Sequence, residues 1–215
     1  MSDSQHRGHG EDFSTLFSDA GWETRITAEE VLEKWRTFGT DCIDGYPWDI
    51  EDYLNDITMR STLQKVEHSF RELEHTQAAI LMYEIHAVDA SLQTVFERDV
   101  FPDIPGGQWW IRRAPTYAAR RFCQEFEQIY KVKIRPKSKF DDDVDSMKAL
   151  LAEGFDSVDV FVKAKQEDWY VAERPGLLFL ACRSATSLPR RAMRALWAWA
   201  SGELPASQLR AAVDN

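Results

Sequence analysis

Residues 63–98 read LQKVEHSFRELEHTQAAILMYEIHAVDASLQTVFER, with no proline or glycine to interrupt them. Apolar side chains return every three or four positions. Val66, Phe70, Leu73, Ile80, Leu81, Val88, Leu92 and Val95 trace one stripe at helical spacing. The pattern predicts a long helix near 63–98, stopped by Pro102 and the Pro105-Gly106-Gly107 turn. A helix this long needs other helices to cover its apolar side, so this stretch decides for a mainly helical fold.

Upstream, residues 1–20 are polar, hold Gly8 and Gly10, and read as a loose leader, with Phe13, Leu16 and Phe17 placed to dock. Thr27 and Glu30 make a capping box, and Ile26 and Val31 a hydrophobic staple, so a helix is expected at about 27–40. Val31, Leu32, Trp35 and Phe38 share its inner face. The Asp44-Gly45-Tyr46-Pro47 turn follows. Asp49 then caps a second helix over 50–63, with Ile50, Tyr53, Leu54 and Ile57 inward.

Downstream, Pro115 suits the first turn of a helix running to about Tyr130. The last third looks different. KVKIRP and VDVFV alternate with period two, and WYVAERPGLLFLACRS reads as two strands around Pro175-Gly176. A helix at 144–153 lies between the first two, and a final one at about 188–201 follows Ser187 and ends at Gly202. The expected class is α+β, mainly α. A helical bundle body spans 21–132, and a smaller strand-containing lobe at 133–215 holds a hairpin and the terminal helix.

Composition narrows the function classes. Cys42, Cys123 and Cys182 are far apart and form no CxxC pair, which argues against a zinc ribbon, a redox pair or a disulfide framework. The first residues lack the apolar run of a signal peptide, and no stretch approaches 18 apolar residues. The expectation is a cytoplasmic protein with no membrane partner.

Charge is uneven: residues 1–100 carry a net −13, residues 101–140 a net +6 and residues 141–215 a net −3, within a total of −10. This overall acidity disfavours nucleic acid as a partner and leaves room for a basic protein.

Several constellations have both a chemical and a structural reading. Asp49, Asp52 and Asp56 share a helix face with the spacing of a magnesium site, yet one cap plus a solvated face accounts for them. His68, His75 and His86 also share a face, opposite the apolar stripe, and no ExxH pair joins them. No metal and no cofactor is expected. Glu84 falls on the apolar stripe, where a carboxylate is costly unless paired. It is either a base in a cleft or the partner of Arg60, Arg112 or Arg113, with pairing favoured. No nucleotide-binding, nucleophile-elbow or zinc-protease motif occurs, so no reaction is named.

The basic window GGQWWIRRAPTYAARR, residues 106–121, supplies the remaining candidates: Trp109, Trp110, Arg112, Arg113, Arg120 and Arg121. Arginines in the first turns of a helix sit against its dipole and call for a nearby negative charge. That charge is either a ligand, with the tryptophans stacking on it, or an acid of the same chain. With −13 in the preceding hundred residues, the chain's own acids are favoured. Arg190, Arg191 and Arg194 stand beside Trp197 and Trp199 in the terminal helix, which either packs on the body or presents a second interaction surface.

The words GYPWDIEDYLNDITMR and WWIRRAP, with the long helix between them, resemble small uncharacterised helical proteins of high-GC bacteria. That resemblance covers about residues 30–115 and implies a helical body of no assigned function. The expectation for function is therefore a non-catalytic interaction protein of the bacterial cytoplasm: an inhibitor, immunity or accessory factor. The alternative is a small-molecule enzyme or ligand-binding protein with a Trp/Arg-lined pocket and Glu84.

Overall fold

The computed structural model describes residues 28–70, 76–97, 100, 101, 103, 104 and 108–213. The chain divides into two units, residues 1–136 and 137–215. Helices dominate both, and among the described residues the strands are two-residue pairs confined to the first unit, so the class is α+β, mainly α.

The described part of the first unit opens with three long helices, α1 (Ala28–Asp44), α2 (Ile50–Phe70) and α3 (Thr76–Val95). A short β1 (Phe96–Glu97) leads past a single-turn α4 (Trp109–Arg112) to β2 (Ala114–Pro115), β3 (Tyr117–Ala118), α5 (Arg120–Tyr130) and β4 (Arg135–Pro136). β1 pairs with β2 antiparallel, Phe96 opposite Pro115, and β3 pairs with β4 parallel, Tyr117 opposite Arg135. Arg60 of α2 meets Asp89 of α3, and Glu67 meets His86, so these two helices run in opposite directions. Arg36 of α1 meets Glu84, and a Cβ on Gly39 would lie 2.9 Å from Val88 Cγ1, so α1 and α3 run the same way and cross closely at the glycine.

An aromatic seam joins this bundle to α5. Trp35 stacks on Phe38 at 5.0 Å, Phe38 meets Tyr46 edge-on, and Tyr46 and Tyr53 both pack on Phe122. Phe126 and Tyr130 extend it along α5. Tyr46 reaches the core because the preceding Gly45 takes φ +91°, a left-handed turn that costs glycine nothing. The buried Tyr46 backbone then bonds Ala119 N at 3.0 Å, pinning the entry to α5.

The second unit consists of α6 (Lys139–Ala152), α7 (Ser157–Gln166), a 3₁₀ turn (Tyr170–Glu173), α8 (Pro175–Ala185), α9 (Arg190–Ala200) and α10 (Ala206–Val213). Its core gathers Phe140, Val144, Met147, Phe161, Val171, Leu177, Leu178, Leu196 and Leu209. Two caps fix the entries: Ser138 accepts from Asp141 N, and Asp156 accepts from Val158 N and Asp159 N.

Several boundaries differ from expectation. The hairpin expected in the C-terminal lobe is helical, and no strand occurs among the described residues of that unit. VDVFV lies in α7, where the Asp156 cap and the helically spaced Val160, Phe161 and Ala164 outweigh strand propensity. Pro175 opens α8 at its first turn instead of making a hairpin, and Leu177, Leu178, Ala181 and Cys182 then turn inward. KVKIRP supplies only β4.

Pro115 pairs in β2, so the following helix starts at Arg120. The second helix expected at 50–63 is α2, which continues to Phe70 because nothing breaks it near 63. The single long helix expected at 63–98 is therefore divided, with residues 63–70 in α2, Thr76–Val95 in the oppositely directed α3 and Phe96–Glu97 in β1. Ile80 and Leu54 face solvent instead of the core, where Leu81, Ile85 and Leu92 sit. The 1–20 leader, the Thr27 cap, Leu73, His75, Pro102 and the Pro105–Gly107 turn lie outside the described residues, as do the side chains of Val66, His68 and Phe70.

Candidate functional site

The densest polar arrangement of the first unit is built on Arg60, which is only 4 % exposed. Its guanidinium bonds both oxygens of Asp89, with Nε at 3.1 and 2.9 Å and Nη2 at 2.8 Å. Nη2 also lies 3.6 Å from Glu67. Trp35 Nε1 donates to Asp89 Oδ1 at 3.2 Å, and His86 Nε2 stands 3.2 Å from Glu67 Oε1. The guanidinium sits over the Trp110 ring at 4.8 Å, and Trp110 Nε1 donates to Ser61 Oγ at 3.0 Å. Arg60 Nη1 is the only one of its nitrogens without a partner among the described residues.

One arginine thus answers two buried carboxylates, with an aromatic face beneath it. Stripping water from these charges is tolerable only because each finds its counterpart. Helices α2 and α3, which share few backbone contacts, are joined by this bridge.

The basic window is divided among different tasks. Trp110 is buried in the Arg60 cluster. Trp109 packs edge-on against Phe96 and Trp110, with Arg113 over its ring at 5.6 Å. Arg112 is half-buried and its carbonyl accepts from Phe101 N. Arg120 is exposed at the start of α5.

Arg121 reaches Asp49 at 3.2 Å and Glu125 at 2.8 Å. Asp49 also accepts from Glu51 N and Asp52 N, and Glu125 accepts from Ile50 N. The start of α5 is therefore clamped onto the start of α2, and the negative charge that Arg121 needs comes from its own chain.

Glu84 takes a different place from the one expected. It is partly exposed and pairs with Arg36 at 2.8 Å, not with Arg60, Arg112 or Arg113. It ties α1 to α3 on the outside of the bundle. Of the expected residues, Trp109, Trp110 and Arg113 come together near Arg60, whereas Glu84 and Arg121 serve two separate helix joints. Arg60 was expected only as one possible partner of Glu84, and Asp89 and Glu67 were not singled out. The available signal was Asp89 itself, a carboxylate one turn from Ile85 and three residues from Leu92.

The aspartates of α2 are dispersed among structural tasks: Asp49 caps, and Asp56 accepts from Tyr46 OH at 2.7 Å. Among the described residues, no group of three or more His, Cys, Asp or Glu side chains is placed to hold a metal ion, and no helix is long and apolar enough to cross a membrane. The three cysteines are buried and unpaired with one another. Burial pushes the Cys42 and Cys182 thiols well up, so neither offers a thiolate nucleophile near neutral pH. Burial and the neighbouring Asp56 push Tyr46 far up, and burial does the same to Tyr53.

These four groups carry a stability consequence. Their ordinary values are 9.0 for the thiols and 10.0 for the phenols. Above those values the unfolded chain releases protons that the native chain keeps. The unfolded state then binds fewer protons, and stability falls as pH rises. Each such group contributes a slope of about 1.4 kcal/mol per pH unit beyond its unfolded value. The urea midpoint is expected to drop above pH 9 and more steeply above pH 10. A midpoint at pH 10.5 equal to that at pH 8.5 would contradict this burial.

No protein family, curated protein or solved structure matches the chain.

Proposed function

We propose that the protein is a non-catalytic interaction protein of the bacterial cytoplasm, an inhibitor, immunity or accessory factor that works by contact with a partner protein of basic character. The groups most suited to chemistry are spent on one another: Arg60 on Asp89 and Glu67, Arg36 on Glu84, and Arg121 on Asp49 and Glu125.

The observation that carries the proposal is the outward side of α3. Between Thr76 and Val95 the only charged side chains are Glu84 and Asp89, and both are turned to partners within the chain. The exposed positions among 79–95 are Ala79, Ile80, Tyr83, His86, Ala87, Ala90, Ser91, Gln93 and Thr94, which lie at helical spacing on one side. Tyr83 is 73 % exposed and Ile80 58 %. In a chain that is 29 % charged, a solvent-facing helix side with no charge and two large apolar anchors has the make-up of a binding surface. The net −13 of residues 1–100 favours a partner of basic character.

The ligand-binding alternative has one observation in its favour, the unpartnered Arg60 Nη1 beside the Trp110 ring. One comparison separates the two. Tagged wild-type protein and the Tyr83→Asp variant are used to capture partners from a lysate of the encoding organism, and both are screened against a metabolite panel. A protein retained by the wild type and lost by the variant is expected. Turnover of a metabolite, with no protein retained by either, would overturn the interaction reading.

A further inference from the structure

Residues 175–202 hold four arginines, Arg183, Arg190, Arg191 and Arg194, and no acid. Helices α8 and α9 are joined by residues 186–189 and fold back on each other. Phe179 of α8 meets Trp197 of α9 edge to face, with ring centroids 5.4 Å apart. Arg183 lies one turn after Phe179, and Arg194 about one turn before Trp197, so both flank the aromatic pair toward the link. Arg190 and Arg191 begin α9 on the same side, and all four arginines are exposed.

None of the four makes an ion pair or hydrogen bond among the described residues. Several other cations of this unit are engaged: Lys163 with Glu167, Arg210 with Asp156 and Asp159, and Lys165 with the Trp199 and Ala200 carbonyls. Three of the free arginines also occupy the first turns of α9, where the helix dipole disfavours cations and Pro189 offers no side-chain cap. The face therefore retains positive charge that the unit's own acids leave unanswered, beside a Trp197 that is 47 % exposed.

We propose that this face docks a short acidic segment of a protein partner, its carboxylates taken by Arg183, Arg190, Arg191 and Arg194 and one apolar side chain seated against Trp197. The proposal is separate from the α3 surface and goes beyond it. Guanidinium groups bind carboxylates through paired charge-assisted bonds, and exposed tryptophan beside arginine is the usual make-up of an interface anchor. Length sets the kind of partner. Arg190 to Trp197 spans about 10 Å of helix, enough for two turns of an acidic peptide. A polynucleotide long enough to bind by its backbone would run past this face onto a protein of net charge −10.

The test uses the full chain and three fluorescent probes at low salt: a glutamate-rich peptide of about fifteen residues with one leucine per turn, its lysine counterpart, and an oligothymidylate of about fifteen nucleotides. The acidic peptide is expected to bind and the lysine peptide not. Arg190→Gln combined with Arg194→Gln, and separately Trp197→Ala, are each expected to weaken binding about tenfold or more. Lys133→Gln, at an exposed cation of the first unit, is expected to leave it unchanged. Absence of binding to the acidic peptide, equal binding by the arginine and tryptophan variants, or tighter binding of the oligothymidylate would each overturn the proposal.

Discussion

Asp89→Ala is expected to cost about 3–5 kcal/mol of folding stability, the range for removing one partner of a buried ion pair. The aspartate accepts from Arg60 Nε and Nη2 at 2.9 and 2.8 Å and from Trp35 Nε1 at 3.2 Å. Without it, Arg60 remains buried with only Glu67 to answer it, at 3.6 Å. A stranded charge in the interior pays its full desolvation cost. The expected loss is therefore much greater than a surface pair would give. Arg60→Met combined with Asp89→Leu and Glu67→Gln removes the arginine together with both carboxylates it answers and is expected to recover a large part of it. Urea midpoints of the two variants and the wild type check this. A loss below about 1 kcal/mol for Asp89→Ala would show that Arg60 reaches solvent once freed.

Phe122→Ala is expected to cost about 3–5 kcal/mol through the cavity it leaves. Phe122 is fully buried and lies within 5.5 Å of the rings of Tyr46, Tyr53 and Phe126. It is where the turn after α1, the start of α2 and the helix α5 converge. The ring therefore holds the first unit together as well as filling it. Phe122→Leu keeps most of the volume and is expected to cost much less, about 1–1.5 kcal/mol. Ile129→Ala, on the exposed side of the same helix, is expected to stay within about 0.5 kcal/mol. Equal losses at positions 122 and 129 would contradict the aromatic seam.

What was legible in the sequence depended on the range of the interaction. Local periodicity located α1 and the inward Val31, Trp35 and Phe38. It also found the helix expected at 188–201, which is α9, and its stop at Gly202, whose φ of +85° suits glycine, but α10 follows, so that helix is not the terminal one. On α3 the stripe was set about one residue off. Ile80 and Leu81 are neighbours only 100° apart, so either could anchor the inner side, and Ile85 decides in favour of Leu81. The same shift exchanges a peripheral Glu84 for a buried Asp89.

The partner of Asp89 was beyond local reach. Arg60 sits on a different helix, and the pairing of that helix with α3 is not encoded in periodicity. Charge balance did better for Arg121, since an excess of acids upstream made an in-chain partner probable on number alone. In the last third, windows of five apolar and polar residues fit either period. The Asp156 cap and the first-turn Pro175 were the signals that decided for helix.

The central claim is that the uncharged outward side of α3 carries the protein's recognition. It is tested most directly by titrating the captured partner with wild-type protein and with the Tyr83→Ala and Ile80→Ala variants. Both side chains are exposed, so these changes leave the fold intact. Each is predicted to weaken the dissociation constant about tenfold, a loss of about 1.4 kcal/mol. Unchanged affinity in both variants, with the partner still bound by the wild type, would contradict the claim.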